Sequence, residues 1–258
     1  MLEARHVSVE LSGTIILRDV SAVFRPGLVT AIIGPNGAGK STLLACLSGA
    51  LRPASGDIAM EGDDPHRLSP AILGMRRAVL EQNPASAVAF TLEELLDLGI
   101  PREVPPAESA GIVQRAKAAL GLARLAGRPI DRLSGGEQHR AHMARALAQL
   151  WAGQHLGGGQ WLMLDEPTAS LDLAHQAAVV RAARGAAAEG AGVLAVLHDL
   201  TLAAAIADRV VVMNAGAIAA NGTPAEVLSS EVLSPVYGID LVTLETGRGG
   251  LAVVPDFA

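Results

Sequence analysis

Residues 34–42 read Gly-Pro-Asn-Gly-Ala-Gly-Lys-Ser-Thr, the spacing G-x-x-x-x-G-K-[ST] with Gly34, Gly39, Lys40 and Ser41 in the fixed places. The apolar run 28–33 leads in as a buried strand, and 41–48 leads out as a short helix stopped at Gly49. Strand, glycine-rich loop and helix in that order point to an α/β fold that grips a polyphosphate at a helix N-terminus. There the aligned peptide dipoles favour an anion, and the glycines let backbone N–H groups turn toward it. Lys40 is then expected to reach the β and γ phosphates, and the Ser41 hydroxyl to ligate Mg²⁺.

Composition removes several alternatives. Hydrophobic residues make up 50% of the 258 and the mean hydropathy is +0.35, which would suit a membrane protein if any apolar run were long enough. The best candidate, 193–213, is broken by His198, Asp199, Asp208 and Arg209, so none offers the roughly 20 clean residues that a bilayer requires. The start, Met1-Leu2-Glu3-Ala4-Arg5, lacks the apolar core of a secretion signal, and a cytoplasmic chain is expected. The single cysteine, Cys46, excludes an internal disulfide and a multi-cysteine zinc site, and reads as a small buried residue. A net charge of −6 and 2% aromatics argue against a surface that coats nucleic acid.

The first sixty residues read as a small antiparallel sheet: an edge strand over 2–10, strands over 14–17 and 20–24, and a further strand over 57–61. A short strand over 77–80 delivers Gln82 to its carboxyl end, where ligands of open parallel sheets gather. From about 83 to 151 the pattern is mainly helical and looks like an inserted subdomain. Thr91 with Glu94 makes one capping box there, and Ser134 with Glu137 makes another. A plain helix start does not need Gly135 and Gly136 in its first turn, where each costs on the order of 1 kcal/mol relative to alanine. Bare backbone there makes sense as a second anion site.

The Gly-rich stretch 154–160 reads as an exposed loop, and 161–164 as a buried strand ending in Asp165-Glu166. Two adjacent carboxylates at a strand end invite a division of labour, Asp165 toward Mg²⁺ and Glu166 to orient or deprotonate an attacking water. A helix over 173–188 follows, then a strand over 192–197 with His198 at its end, where it could hydrogen-bond a γ-phosphate. The other six histidines read as surface or packing residues. Strands over 209–213 and 217–220, a helix over 231–237 and a last hairpin, 241–245 with 251–254, complete the chain.

In this order the motifs resemble the ATP-binding subunits of ABC transporters over essentially the whole chain. Residues 34–42 (Gly34, Pro35, Asn36, Gly37, Ala38, Gly39, Lys40, Ser41 and Thr42) match the Walker A loop that binds ATP, and Gln82 the Q-loop glutamine. Residues 133–138 match the LSGGQ signature with Glu137 in its last place, and 161–165 match Walker B followed by Glu166 as the catalytic glutamate. The D-loop is 170–172 and the switch histidine His198. The resemblance implies a P-loop NTPase (RecA-like) core with a small antiparallel β subdomain and an inserted α-helical subdomain.

It further implies a homodimer in which two copies pair head to tail. Ser134, Gly135, Gly136, Glu137 and Asp172 of one copy then close over the ATP that Walker A of the other holds. Mg²⁺ would sit on Ser41, Gln82 and Asp165, while Lys40, Glu166 and His198 would carry catalysis. The partners implied are transmembrane permease subunits and, indirectly, an external solute-binding protein, with the chain peripheral on the cytoplasmic face of the inner membrane and no nucleic acid expected. The family's adenine-stacking aromatic has no counterpart here; Leu11 falls nearest.

The Gly-rich stretch before Trp161, the run 170–176 and Val236-Tyr237-Gly238 are similar to subunits that import haem, cobalamin or ferric siderophores, and most of all to the haem importers. The competing class is a non-transport ABC ATPase of DNA repair or the ribosome. Against it stand the absence of room for a long coiled coil between 82 and 133, the lack of zinc cysteines, and the presence of one cassette instead of two.

Overall fold

Alternation of apolar and polar residues forms β1 (Leu2–Leu11), which pairs antiparallel with β2 (Thr14–Phe24) along one side. The computed structural model describes residues 1–82, 90–169, 171–247 and 250–256. The expectations that fall on Ser170, on 83–89 at the start of the helical insertion and on the tip of the last hairpin lie outside the described residues. β3 (Val29–Ile33) is buried throughout and ends at the phosphate loop, from which α1 (Lys40–Leu47) departs. β4 (Ser55–Met60) lies antiparallel to β1 on its other side, so the sheet order is β2-β1-β4.

Two expectations are corrected here. β1 is the central strand of its sheet, not an edge, because a segment some fifty residues on supplies its second neighbour. The two strands expected over 14–24 are one, since Asp19 takes a positive φ of 51° and the irregularity is absorbed as shifts in register against β1.

The chain divides into two compact units, the first made of Met1–Leu68 with Leu194–Ala258 and the second of Ser69–Val193. The second begins with α2 (Pro70–Arg76), capped by Ser69, and β5 (Arg77–Leu80). α3 (Leu92–Asp97) has the full Thr91–Glu94 capping box, and α4 (Pro106–Ala119) follows. α5 (Gly135–His155) is the long helix of this unit; in it Trp151 carries the Arg115 guanidinium 3.8 Å above its ring, and Arg115 also pairs with Glu189. Lys117, almost fully buried on α4, donates to Glu93 Oε1 at 2.7 Å, the pairing that a buried ammonium requires.

The Gly-rich stretch 154–160 is an exposed loop only in part: Gln154 and His155 end α5 and Gly157 is exposed, but the backbone around them packs inward. Gly153 and Gly159 are buried, Gly159 N–H donates to the Met75 carbonyl at 2.6 Å, and a Cβ on Gly153 would collide with that same carbonyl. The glycines let two backbones close on each other at the end of α2. They lead into β6 (Trp161–Asp165), buried throughout and parallel to β5, and then to α6 (Leu173–Ala188).

β7 (Gly192–Val196) returns the chain to the first unit, where α7 (Leu200–Ile206) leads to β8 (Arg209–Asn214). β8 lies parallel to β3, and β9 (Ala217–Gly222) turns back antiparallel to it. α8 (Pro224–Val227) and α9 (Ser230–Tyr237) precede the expected hairpin of β10 (Leu241–Glu245) with β11 (Leu251–Pro255). Thr201 ties that hairpin to α7 by exchanging hydrogen bonds with the Val253 backbone.

Candidate functional site

In the first unit, β3 leaves its sheet at Gly34, whose φ of +146° and close approach to the Met213 carbonyl leave no room for a Cβ. Ala38 N–H donates to Pro35 O at 3.2 Å and closes the loop on itself. Gly39, left-handed, starts α1 with no side-chain cap. Lys40 is 6% exposed, and its Nζ donates to Gly34 O at 2.8 Å and Pro35 O at 3.0 Å, so the ammonium is wrapped by the loop it serves. Ser41 is exposed in the first turn.

His198 stands between two anchors. Leu197 N–H donates to Ile32 O on β3 at 3.1 Å, and Asp199 caps α7 by accepting from Leu202 N–H at 2.9 Å. The histidine is therefore exposed at a strand end next to the strand that carries the phosphate loop. Cys46 is fully buried on α1, and burial pushes its thiol up to about 11, which makes it a packing residue as expected.

In the second unit, β6 ends at Asp165, 9% exposed, and Glu166 follows with a φ of +51°. A non-glycine residue there is strained, and such strain persists where surrounding structure over-determines it. Gln82, beyond the end of β5, donates its amide Nε2 to Glu166 Oε1 at 2.9 Å. The structure thus brings together two residues 84 positions apart that were singled out separately. The amide nitrogen being taken, the Gln82 carbonyl oxygen is the end suited to a cation.

Ser134 caps α5. Its hydroxyl accepts from Glu137 N–H at 3.4 Å, and Glu137 Oε2 takes the Ser134 N–H at 2.8 Å and hydroxyl at 2.9 Å. The Ser134 backbone N–H, then its hydroxyl, hold the Glu137 carboxyl below the usual carboxylate range. Gly135 and Gly136 are the first two helical residues, with no side chain over their N–H groups. Asp172 caps α6 instead: it accepts from His175 N–H at 2.9 Å and pairs with the His175 ring.

Two residues that sequence reasoning passed over belong to this unit's framework. His139, one turn into α5, has its Nε2 2.9 Å from the Pro167 carbonyl, which fixes Nε2–H as the donor and ties the signature helix to the residue after Glu166. Arg145 Nη2 donates to Val79 O at 2.8 Å, holding the strand that leads to Gln82. Both lie on α5 downstream of the signature, and that spacing was their only trace in the sequence.

A family model described as ABC transporter matches residues 17–169. The chain belongs to the ABC transporter family. A relative named hemin import ATP-binding protein HmuV, from Rhodopseudomonas palustris, is 42% identical over 257 residues, 100% of this chain and 95% of its own. The protein of the same name from Chelativorans is 46% identical, with 93% and 92% covered. A solved ATP-binding subunit of an ABC transporter superposes with a TM-score of 0.79 at 25% identity, covering 93% of this chain and 95% of that one. The ABC ATPase fold expected from the motifs is thus the fold observed, mixed α/β with parallel pairing in β3–β8 and β5–β6 and a separate antiparallel sheet.

Proposed function

We propose that the chain is the ATP-hydrolysing subunit of a haem importer, driving a membrane permease by ATP-dependent closure of a head-to-tail homodimer. The full-length likeness to the two haemin import ATP-binding proteins carries the cargo assignment. No helix among the described residues is long and apolar enough to cross a membrane, so transport requires separate permease subunits, with the chain peripheral on their cytoplasmic side. An external solute-binding protein would deliver the cargo.

In this reading residues 34–42 hold the ATP phosphates. Lys40 exchanges its bonds to Gly34 O and Pro35 O for the β and γ oxygens, at little cost because it is already desolvated. Glu166 orients or deprotonates the attacking water, with Gln82 fixing which carboxylate oxygen turns away. His198 bonds the γ-phosphate. Ser134 and Asp172 are already engaged as helix caps, so the N–H groups of Gly135 and Gly136 are the donors that α5 offers the partner's ATP.

A hydroxyl, a carboxylate and an amide oxygen, from Ser41, Asp165 and Gln82, are the hard oxygen donors that suit Mg²⁺. The described residues contain no cluster of three or more His, Cys, Asp or Glu, as fits an ion that keeps waters and substrate phosphates in its shell. When bound, that ion neutralises charge developing on the phosphates.

The test is ATP-driven uptake in proteoliposomes holding this subunit, its permease and its binding protein, with haem, cobalamin and a ferric siderophore offered in parallel and Glu166→Gln as the control. Haem uptake that the control abolishes is expected. Uptake of another ligand instead keeps the machine and replaces the cargo, whereas hydrolysis with no uptake of any of them removes the transport reading.

A further inference from the structure

The first unit contains a cavity of about 850 Å³ that the nucleotide chemistry does not use, within the size range of small-molecule sites. Its walls are β1 and β2 on one side and the starts of β3 and β8 on the other. Thr30 and Arg209, which line it, are paired across β3 and β8 at the strand ends opposite the phosphate loop. Thr30 lies four residues before Gly34, about 13 Å along the strand. The floor is small and apolar, with Ala4, Ala22 and Val211 all buried.

Arginines outnumber carboxylates around that floor, three to one. Arg5, Arg25 and Arg209 all line the cavity. Arg5 is spent on Glu3, the one carboxylate in the lining. Arg209 has a long bond of 3.4 Å to Asn221 Oδ1 and the Glu226 carboxylate within electrostatic reach, and Arg25 has no ion-pair or hydrogen-bond partner among the described residues. Thr30, 3% exposed, lines this space, and its hydroxyl has no hydrogen-bond partner among the described residues. An unpaired guanidinium, Arg25, and a loosely held one, Arg209, beside an apolar floor present fork donors for a planar oxyanion, and the Thr30 hydroxyl can add a third bond.

We infer that this cavity is a binding site for a small organic anion, a carboxylate or phosphomonoester on a compact apolar body, held by Arg25 and Arg209 with the Thr30 hydroxyl. It is separate from the phosphate loop and independent of the cargo.

The full chain is titrated with 8-anilinonaphthalene-1-sulfonate, followed by fluorescence, and the probe is then displaced with benzoate or with phenyl phosphate. Saturable one-to-one binding is expected, weakened at least tenfold in Arg25→Ala/Arg209→Ala and several-fold in Thr30→Val, and unchanged in Lys40→Ala. Displacement by benzoate or by phenyl phosphate identifies the acid that the site takes; displacement by neither overturns the proposal. So does binding that survives the arginine pair intact, or that disappears with Lys40→Ala, which would put the probe at the phosphate loop. Arg25 is exposed and Thr30→Val conserves volume, so ATP hydrolysis retained in these variants reports an intact fold.

Discussion

Glu166 is held in a left-handed backbone conformation and bonded to Gln82 at one carboxylate oxygen. Replacing it with glutamine keeps the shape and removes the base. Glu166→Gln is expected to lower the rate of ATP hydrolysis about 10²- to 10⁴-fold, the range that a positioned general base supplies, while nucleotide binding persists. Phosphate release and equilibrium nucleotide binding, measured on the same preparation, check both halves; turnover equal to the parent's would remove Glu166 from the chemistry. The candidate site residues could be picked out beforehand because their types and spacing are those that phosphate and metal chemistry demand. What could not be read was how they are held. The Gln82–Glu166 bond and the His139–Pro167 bond join positions 84 and 28 apart, and nothing in either local sequence announces the other.

Helices were legible where their ends carried capping chemistry. The boxes at Thr91–Glu94 and Ser134–Glu137 form as the sequence predicts, and Asp172 and Asp199 begin helices in the same way. Strand order was harder, since whether β1 is an edge depends on β4, a non-local partner. Gly158 and Gly159 read as solvent-facing because their packing against Met75 involves backbone atoms alone. Ser134→Ala separates structure from function at α5: loss of the cap costs about 1 kcal/mol of stability, readable as a lower urea midpoint. ATP-dependent dimerisation, followed by light scattering in the Glu166→Gln background, is expected to persist in Ser134→Ala, since the Gly135 and Gly136 N–H groups remain. Its loss would show that the hydroxyl itself touches the partner's nucleotide.

At the scale of the molecule a pH dependence of stability is expected from two histidines of α5, His142 foremost and His139 in the same direction. His142 is 6% exposed with its Nε2 unpartnered among the described residues, and burial first, then the neighbouring Arg145 and His139, pushes its pKa from 6.5 down to about 4. The folded value lies below the unfolded one. Between about pH 6.5 and about pH 4 the unfolded chain therefore takes up a proton that the native state refuses, and stability falls as the pH is lowered through that window. Urea midpoints at pH 7.5 and 5 are expected to drop for the parent and to drop much less for His142→Leu; equal drops would assign the dependence elsewhere. The division of the chain also sets a timetable for its birth. The second unit is continuous, but β3 pairs with a strand that begins 176 residues after β3 ends. At ribosomal speeds of about 5–20 residues per second, the strand that bears the phosphate loop waits roughly 10–35 s for β8. Ser69–Val193 can thus be finished while the glycine-rich loop after β3 is still open chain, and a nascent apolar segment, Val29–Ile33, must be shielded until its neighbours β7 and β8 have emerged.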